Sequence, residues 1–221
     1  MSTAENIALL RKEIPRHIKL VAVTKTMPPA AVQEAYDAGH RVFGENKVQE
    51  LVEKQLVLPD DIEWHLIGHL QTNKVKFIVP FITLIHTVDS LKLLSVINNE
   101  AGKVNRKIDC LLQIRIAREE TKFGMSFNEV QQLLKDDEYK DFQNIRITGL
   151  MGMATFTSDD DQVRREFSLL AKFFSEIKMK LFPNDDSFRE LSMGMSGDYK
   201  IAIETGSTIL RIGSLIFGKR N

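Results

Sequence analysis

The stretch Leu20-Val21-Ala22-Val23-Thr24-Lys25-Thr26-Met27-Pro28-Pro29 ends a run of apolar and β-branched residues in a lysine, and the two prolines that follow permit a helix to begin. Lys25 therefore falls where a buried strand meets its loop. Desolvation disfavours the ammonium form, so an amine held there can have a lowered pKa and act as a nucleophile toward carbonyl groups, which is Schiff-base chemistry in outline. A lysine whose amine snorkels to water satisfies the same spacing. The rest of the chain has to decide between the two.

Two small-residue segments near the C-terminus carry a second kind of chemistry. In Met193-Gly194-Met195-Ser196-Gly197 and Arg211-Ile212-Gly213-Ser214, glycines let backbone amides approach a ligand. Ser196-Gly197-Asp198 can begin a helix, whose N-terminus supplies positive potential, and Gly213-Ser214 can form a facing nest of amides. One such loop reads as an ordinary turn. Two of them, at consecutive expected strand ends, point to a phosphate held between. Arg211 lies in Leu210-Arg211-Ile212-Gly213, where a charge needs a buried partner. The methionines that flank Gly152 and Gly194, Met195 among them, read as adaptable lining or plain core filling. His65 and His69 have the spacing of a zinc pair on a helix, but they fall in a strand and its exit and lack the glutamate that follows the first histidine of the metalloprotease motif. A core hydrogen bond beside Trp64 suits His65 better. No Ser-His-Asp set or nucleophile elbow stands out.

The elements that must position these residues alternate between short β-branched runs and longer stretches with helical spacing. Strands are expected at 20–24, 41–44, 63–67, 83–86, 108–116, 145–151, 189–192 and 208–212. Helices are expected at 30–38, 47–55, 72–79, 91–100, 127–135, 160–180 and 198–204, with an opening helix over 2–14 capped by Ser2 or Thr3. This order and number match a (β/α)8 barrel in a single domain, 1–221. The competing open doubly wound sheet would carry a Gly-rich dinucleotide fingerprint after its first strand, and none is there. In the barrel, strand ends gather at one mouth: Lys25, Glu45-Asn46, Gly68-His69, Thr87-Asp89, Met151-Gly152-Met153, and the two small-residue loops.

Composition narrows the class of partner. Thirty basic and thirty acidic residues give a formal charge of zero, so nothing drives the chain toward nucleic acid or an anionic membrane. The single cysteine, Cys110, sits in Ile108-Asp109-Cys110-Leu111-Leu112, excludes an intrachain disulfide and reads as a buried inert thiol in a reducing compartment. With neither a signal-like h-region nor an 18-residue apolar span, a cytoplasmic protein is expected, and without heptads or a large apolar stripe, a monomer.

The segments Ala22-Val23-Thr24-Lys25, Gly44-Glu45-Asn46-Lys47-Val48-Gln49-Glu50, Trp64 through Lys74, Leu191 through Ser196 and Arg211-Ile212-Gly213 through Gly218, in this order, resemble the pyridoxal phosphate homeostasis protein family. The resemblance implies a single-domain barrel of the alanine racemase N-terminal type, PLP fold type III, that holds pyridoxal 5′-phosphate as an internal aldimine on Lys25. It implies Ser196, Gly213 and nearby amides at the phosphate, Arg211 facing the pyridine nitrogen, Asn46 near the ring, and Met195 among the cofactor-binding residues. Thr24 and Lys47 depart from the serine and tyrosine that are frequent at those positions, which leaves the electrostatics of the Lys47 rim open. An arginine cannot accept the pyridine proton and weakens the ring as an electron sink. The expected function is thus a non-enzymatic pyridoxal phosphate binder in vitamin B6 homeostasis, which buffers the cofactor or delivers it to apo enzymes. A minimal amino-acid racemase is the rival, although Tyr199, the tyrosine nearest a strand-end loop, reads as structural. A phosphate-ligand barrel without a covalent link to Lys25 is a third reading.

Overall fold

Strands with both faces covered read as near-continuous apolar runs, and the runs of this chain become eight parallel strands that close on themselves in chain order. The computed structural model describes residues 2–117 and 123–218, so parts of the expected 1–221 unit lie outside the described residues. The strands are β1 (Lys19–Val23), β2 (Val42–Glu45), β3 (Glu63–Leu66), β4 (Leu84–Val88), β5 (Ile108–Ile114), β6 (Ile145–Gly152), β7 (Glu190–Met195) and β8 (Ile209–Ile212). The barrel shuts where β1 pairs with β8, Lys19 beside Ile209 through Ala22 beside Ile212. The expected (β/α)8 architecture is the observed one, and the open sheet is excluded by this closure.

The helices are α1 (Thr3–Glu13), α2 (Pro29–Asp37), α3 (Val48–Gln55), α4 (Val75–Ile78), α5 (Leu91–Lys103), α6 (Phe127–Lys135), α7 (Asp137–Lys140), α8 (Asp160–Leu181), α9 (Tyr199–Glu204) and α10 (Ser214–Phe217). Their starts follow from side-chain chemistry. Ser2 caps α1 in a capping box with Glu5, and Ser126 caps α6 in another with Glu129. Pro29 occupies the first position of α2, where its missing N–H costs nothing. The helix expected over 72–79 is instead a 3-10 turn, Thr72–Lys74, followed by the single turn α4. Thr72 and Asn73 are poor helix formers, and the segment is held mainly by the buried anchors Val75 and Ile78. The helix expected from Asp198 begins one residue later, because the Asp198 carboxylate accepts from the Met195 N–H and caps the loop rather than the helix. Helices α7 and α10 were not signalled by periodicity, since a single turn is too short to show one.

Alternate strand residues separate two cores. Leu20, Ala22, Phe43, Trp64, Leu66 and Ile85 face the helices, whereas Val21, Leu84, Leu111, Met151 and Ile209 fill the barrel interior. Cys110 belongs to the outer core, and burial pushes its thiol upward, so it is an inert apolar filler. Two positions further along the inward-facing rows, the interior turns polar, with His65, His86, Ser192 and Arg211 all buried. Burial holds His65 neutral, with its pKa lowered to about 3, and holds His86 well below its ordinary value. His40, buried under β2 with its Nε2 2.8 Å from the Val42 carbonyl, is lowered to about 4 by the same desolvation.

At the top of β1 and β2 an ion pair is buried beneath α3. Lys54 donates to the Glu45 carboxylate and, at 2.7 Å, to the Thr24 carbonyl, while the Thr24 hydroxyl donates to Glu45 at 2.6 Å. Burial raises the Glu45 carboxyl, and the Lys54 and Thr24 hydrogen bonds pull it back. The Thr26 N–H donates to Glu50 at 2.8 Å, and the Glu50 carboxylate lies 3.9 Å from Lys54. Both neighbours of Lys25 are therefore pinned.

Two outcomes follow from this packing. Lys54→Met leaves Glu45 buried without its cation and is expected to cost about 3 kcal/mol or more in urea unfolding, whereas the double replacement Glu45→Gln with Lys54→Met costs less than the single one; a double loss equal to the sum of the two single losses would show that the pair is not coupled. The buried histidines take up protons in the unfolded chain before they do so in the folded one, so stability is complete above their ordinary value of 6.5 and declines as pH falls toward about 4, where His40 titrates, and about 3, where His65 does. Unfolding titrations between pH 7 and roughly 4 check the slope, and a flat profile contradicts the neutral assignment.

Candidate functional site

Lys25 stands at the first residue positions beyond β1, half buried, and its surroundings are unusually determined. Thr24 is fixed by Glu45 and Lys54, and Thr26 has φ of 64°, a left-handed conformation that a β-branched residue adopts only when its surroundings enforce it. The Glu50 carboxylate on the Thr26 amide is that enforcement. The chain thus turns sharply just after Lys25, and this lysine lines the mouth of the barrel rather than following the strand direction outward.

A cavity of about 560 Å³ opens at this end. All six sequence-predicted site residues, Lys25, Asn46, Met195, Ser196, Arg211 and Gly213, lie in its wall, although their chain positions span the molecule. Asn46 follows β2 and is braced by a close approach of the β3 exit. At Gly68 any Cβ would sit 2.2 Å from the Asn46 carbonyl oxygen, so only glycine lets these two turns meet. The loops after β7 and β8 are tied together by the Gly213 N–H, which donates to Ser196 Oγ at 3.3 Å. Gly213 also precedes α10, so the first amides of that turn face the same region as the loop that leads into α9. Gly194 has φ of 93° and its missing Cβ makes room for Ala202 and Leu210 beneath the loop.

Arg211 is 4% exposed. Its guanidinium donates through NH1 to Ser192 Oγ and through NH2 to the Gly152 carbonyl at 3.1 Å. The partners that the buried charge required are thus a hydroxyl and a carbonyl. Burial lowers the Arg211 pKa to about 10, with the charge of Asp198 acting against the shift. Asp198, on the cavity wall, has its own carboxyl raised, first by desolvation and only partly offset by the Met195 amide and Arg211. An arginine held this way remains a cation at neutral pH and presents donors and no acceptor.

Periodicity missed the segment that follows β6. Met153 through Thr157 forms one wall of the cavity. It is held by Glu166, buried on α8, which accepts from the Thr155 N–H at 2.7 Å and the Thr155 hydroxyl at 2.8 Å. The signal was present: Glu166 interrupts the apolar face Val163, Phe167, Leu170 of α8, and a carboxylate on a core-facing position needs a loop to bind. The two histidines of the rejected zinc pair part company. His65 lies inside the barrel with Nδ1 2.9 Å from His86 Nε2, and His69 sits at the rim, 3.6 Å from Asp89 and stacked on Phe123. The Tyr199 hydroxyl donates to Glu13 at 2.6 Å and ties α9 to α1, and its pKa is raised to about 12 by desolvation and by that carboxylate. Lys47 is exposed, 3.8 Å from Glu50.

A lysine, a caged arginine and two glycine-containing loops thus line one cavity at the C-terminal mouth of the barrel. The family model described as alanine racemase, N-terminal domain, matches residues 2–221. A relative from Aquifex aeolicus named pyridoxal phosphate homeostasis protein is 39% identical over 204 residues, 91% of this chain and 87% of the relative. A human relative of the same name is 41% identical over 214 residues, 92% and 77% of the two chains. The solved structure of PipY from Synechococcus elongatus with PLP bound matches with a TM-score of 0.89 at 35% identity, over 98% of this chain and 100% of PipY. Alanine racemase of Clostridium difficile 630 matches with a TM-score of 0.73 at 15% identity, over 99% of this chain and 56% of the racemase, a likeness of fold alone. With a family match over nearly its whole length and relatives of this identity across most of both chains, the protein belongs to the pyridoxal phosphate homeostasis protein family, built on the N-terminal barrel of alanine racemase.

Proposed function

We propose that this protein binds pyridoxal 5′-phosphate, joined covalently to Lys25, and that it buffers or delivers the cofactor rather than using it in catalysis. The observation that carries the reading is the meeting of Lys25, Arg211 and the Ser196–Gly213 pair in one cavity, which supplies an amine for an aldehyde, a cation for the ring and amides for a phosphate. The residues fit the group. The donor set around the two loops is that of a phosphate cradle, and Arg211 is a buried cation whose hydrogen bonds leave room for an anionic ligand. PipY, solved with PLP bound, and the names of the curated relatives support it.

Pyridoxal phosphate supplies an aldehyde and an aromatic ring that can stabilise a neighbouring negative charge when its nitrogen is protonated. In this reading Ser196 and Gly213 bind the phosphate, Asn46 lies near the ring, Met195 is a further cofactor contact, and Arg211 faces the pyridine nitrogen. Because the guanidinium can donate a hydrogen bond but cannot take a proton, it holds the nitrogen as an acceptor and leaves the ring a weak electron sink. That is the physical case for a carrier over a racemase. Acceptor apo enzymes, a monomeric state and a reducing cytoplasm complete the proposal, in keeping with the single buried thiol of Cys110. Among the described residues no helix is long and apolar enough to cross a membrane.

Purified protein incubated with pyridoxal phosphate is expected to gain a visible absorption band, and borohydride reduction followed by peptide mapping to place the adduct on Lys25. Lys25→Ala loses both. Colourless parent protein, or an adduct on another lysine, contradicts the assignment. Racemisation of amino acids at ordinary enzymatic rates, dependent on Lys25, would replace the carrier with the enzyme. Ser196→Ala is expected to weaken pyridoxal phosphate binding by about 1 kcal/mol or more, the size of one lost hydrogen bond to a charged group; equilibrium dialysis reads it, and unchanged affinity removes Ser196 from the phosphate. Arg211→Glu is expected to alter the absorption spectrum or the reactivity toward amino acids, and identical spectra with identical reactivity remove Arg211 from the ring nitrogen.

A further inference from the structure

Arg211 is the first member of a string of polar groups that runs through the barrel interior. Beyond the contact of its NH1 with Ser192 Oγ, the serine oxygen lies 3.0 Å from His86 Nδ1, and His86 Nε2 lies 2.9 Å from His65 Nδ1. A guanidinium has no acceptor, which fixes the first bond, and the direction of the others follows from which arrangement leaves fewer buried groups unused. Arg211 donates, so Ser192 accepts from it and has its own proton free for His86 Nδ1. His86 then carries its proton on Nε2 and donates it to His65 Nδ1. His65 in turn carries its proton on Nε2, which has no hydrogen-bond partner among the described residues and ends the string. Run the other way, the string would leave the Ser192 proton unused as well as the His65 nitrogen, so the first direction wastes fewer buried groups.

Two of the three register shifts among the described residues of the barrel lie beside these contacts, the third being between β5 and β6 at Cys110 and Leu111. β4 carries one extra residue against β5 between Ile85 and Val88, which brackets His86, and β7 carries one extra residue against β8 between Ser192 and Met195. Bulges are rare in parallel pairs and occur beside sites, where they re-aim side chains. Two of them here lie at the two residues that link Arg211 to the interior.

We propose that Ser192 and His86 are positioning residues for Arg211: the string anchors one guanidinium nitrogen through neutral partners, so that the remaining N–H groups and the positive charge are presented at a fixed angle to the ligand in the cavity. The inference rests on the reading above, in which that ligand is pyridoxal phosphate with its ring nitrogen at Arg211. Fixed donors keep that nitrogen unprotonated, whereas a loosened guanidinium would not. A purely structural cluster would support the fold and leave the ligand's spectrum untouched.

The test uses the full chain and the variants Ser192→Ala, Ser192→Thr and His86→Phe, with three measurements: pyridoxal phosphate affinity, the position of the bound visible band, and imidazole tautomers in the ligand-free protein by nitrogen NMR. Both His65 and His86 are expected as Nε2–H tautomers. Ser192→Ala and His86→Phe are expected to weaken affinity about tenfold, the size of one hydrogen bond to a charged group, and to shift the band, while Ser192→Thr, which keeps the hydroxyl, stays close to the parent in both. If His86→Phe does not fold, Ser192→Ala decides. Unchanged affinity and band in Ser192→Ala overturn the proposal, as does equal loss in Ser192→Thr when both variants melt with the parent. A parent protein that never develops a visible band defeats the pyridoxal phosphate reading instead; the tautomers then still judge the string, and a proton on Nδ1 of either histidine overturns it.

Discussion

A guanidinium shut inside a closed barrel is costly, and its partners at the mouth offset part of that cost. Removing a cation from water costs several kcal/mol even after relaxation, and Arg211 recovers part of this from a serine hydroxyl, a backbone carbonyl and the field of Asp198. These partners neutralise less than a hydrogen-bonded carboxylate would. The remaining potential is directed at the cavity, where an anionic ligand can use it. The interior, apolar at the level of Val21, Leu84 and Leu111, turns polar one layer higher.

The amine past the end of the neighbouring strand β1 is placed by a different device. Lys25 has no long element of its own to hold it, being past the end of β1, so its neighbours are fixed instead: Thr24 by a buried ion pair from β2 and α3, Thr26 by a carboxylate that enforces a left-handed backbone. Strain of this sort persists only where the surroundings over-determine it. A lysine on a relaxed loop would have to be ordered whenever it met an aldehyde, and pre-set geometry removes that cost.

The electrostatics of these two groups agree with the proposed role. A nucleophilic amine captures a carbonyl compound reversibly, and an arginine in place of an acid at the ring leaves the captured cofactor a poor electron sink. The barrel shared with alanine racemase is a scaffold on which either behaviour can be built, because fold alone does not fix chemistry. In this chain, among the described residues, no tyrosine lies in the cavity wall, and Tyr199 is turned toward Glu13.

By itself the sequence determined the alternation of strands and helices, the closing arithmetic of eight strands, and the six residues that end up around one cavity, because strand ends in such a barrel share a mouth whatever their distance along the chain. Its motifs also carried the family. It misplaced the short helical turns, since one turn of backbone has no period to read, and it saw His65 as a core histidine without its partner. The tertiary structure alone decided that His86 meets Ser192 across 106 residues, that Glu166 holds Thr155, and that Thr26 turns left-handed. Those contacts are made only when the barrel closes and its bulged strands set their register, and neither closure nor a one-residue shift leaves a mark in the local pattern of side chains.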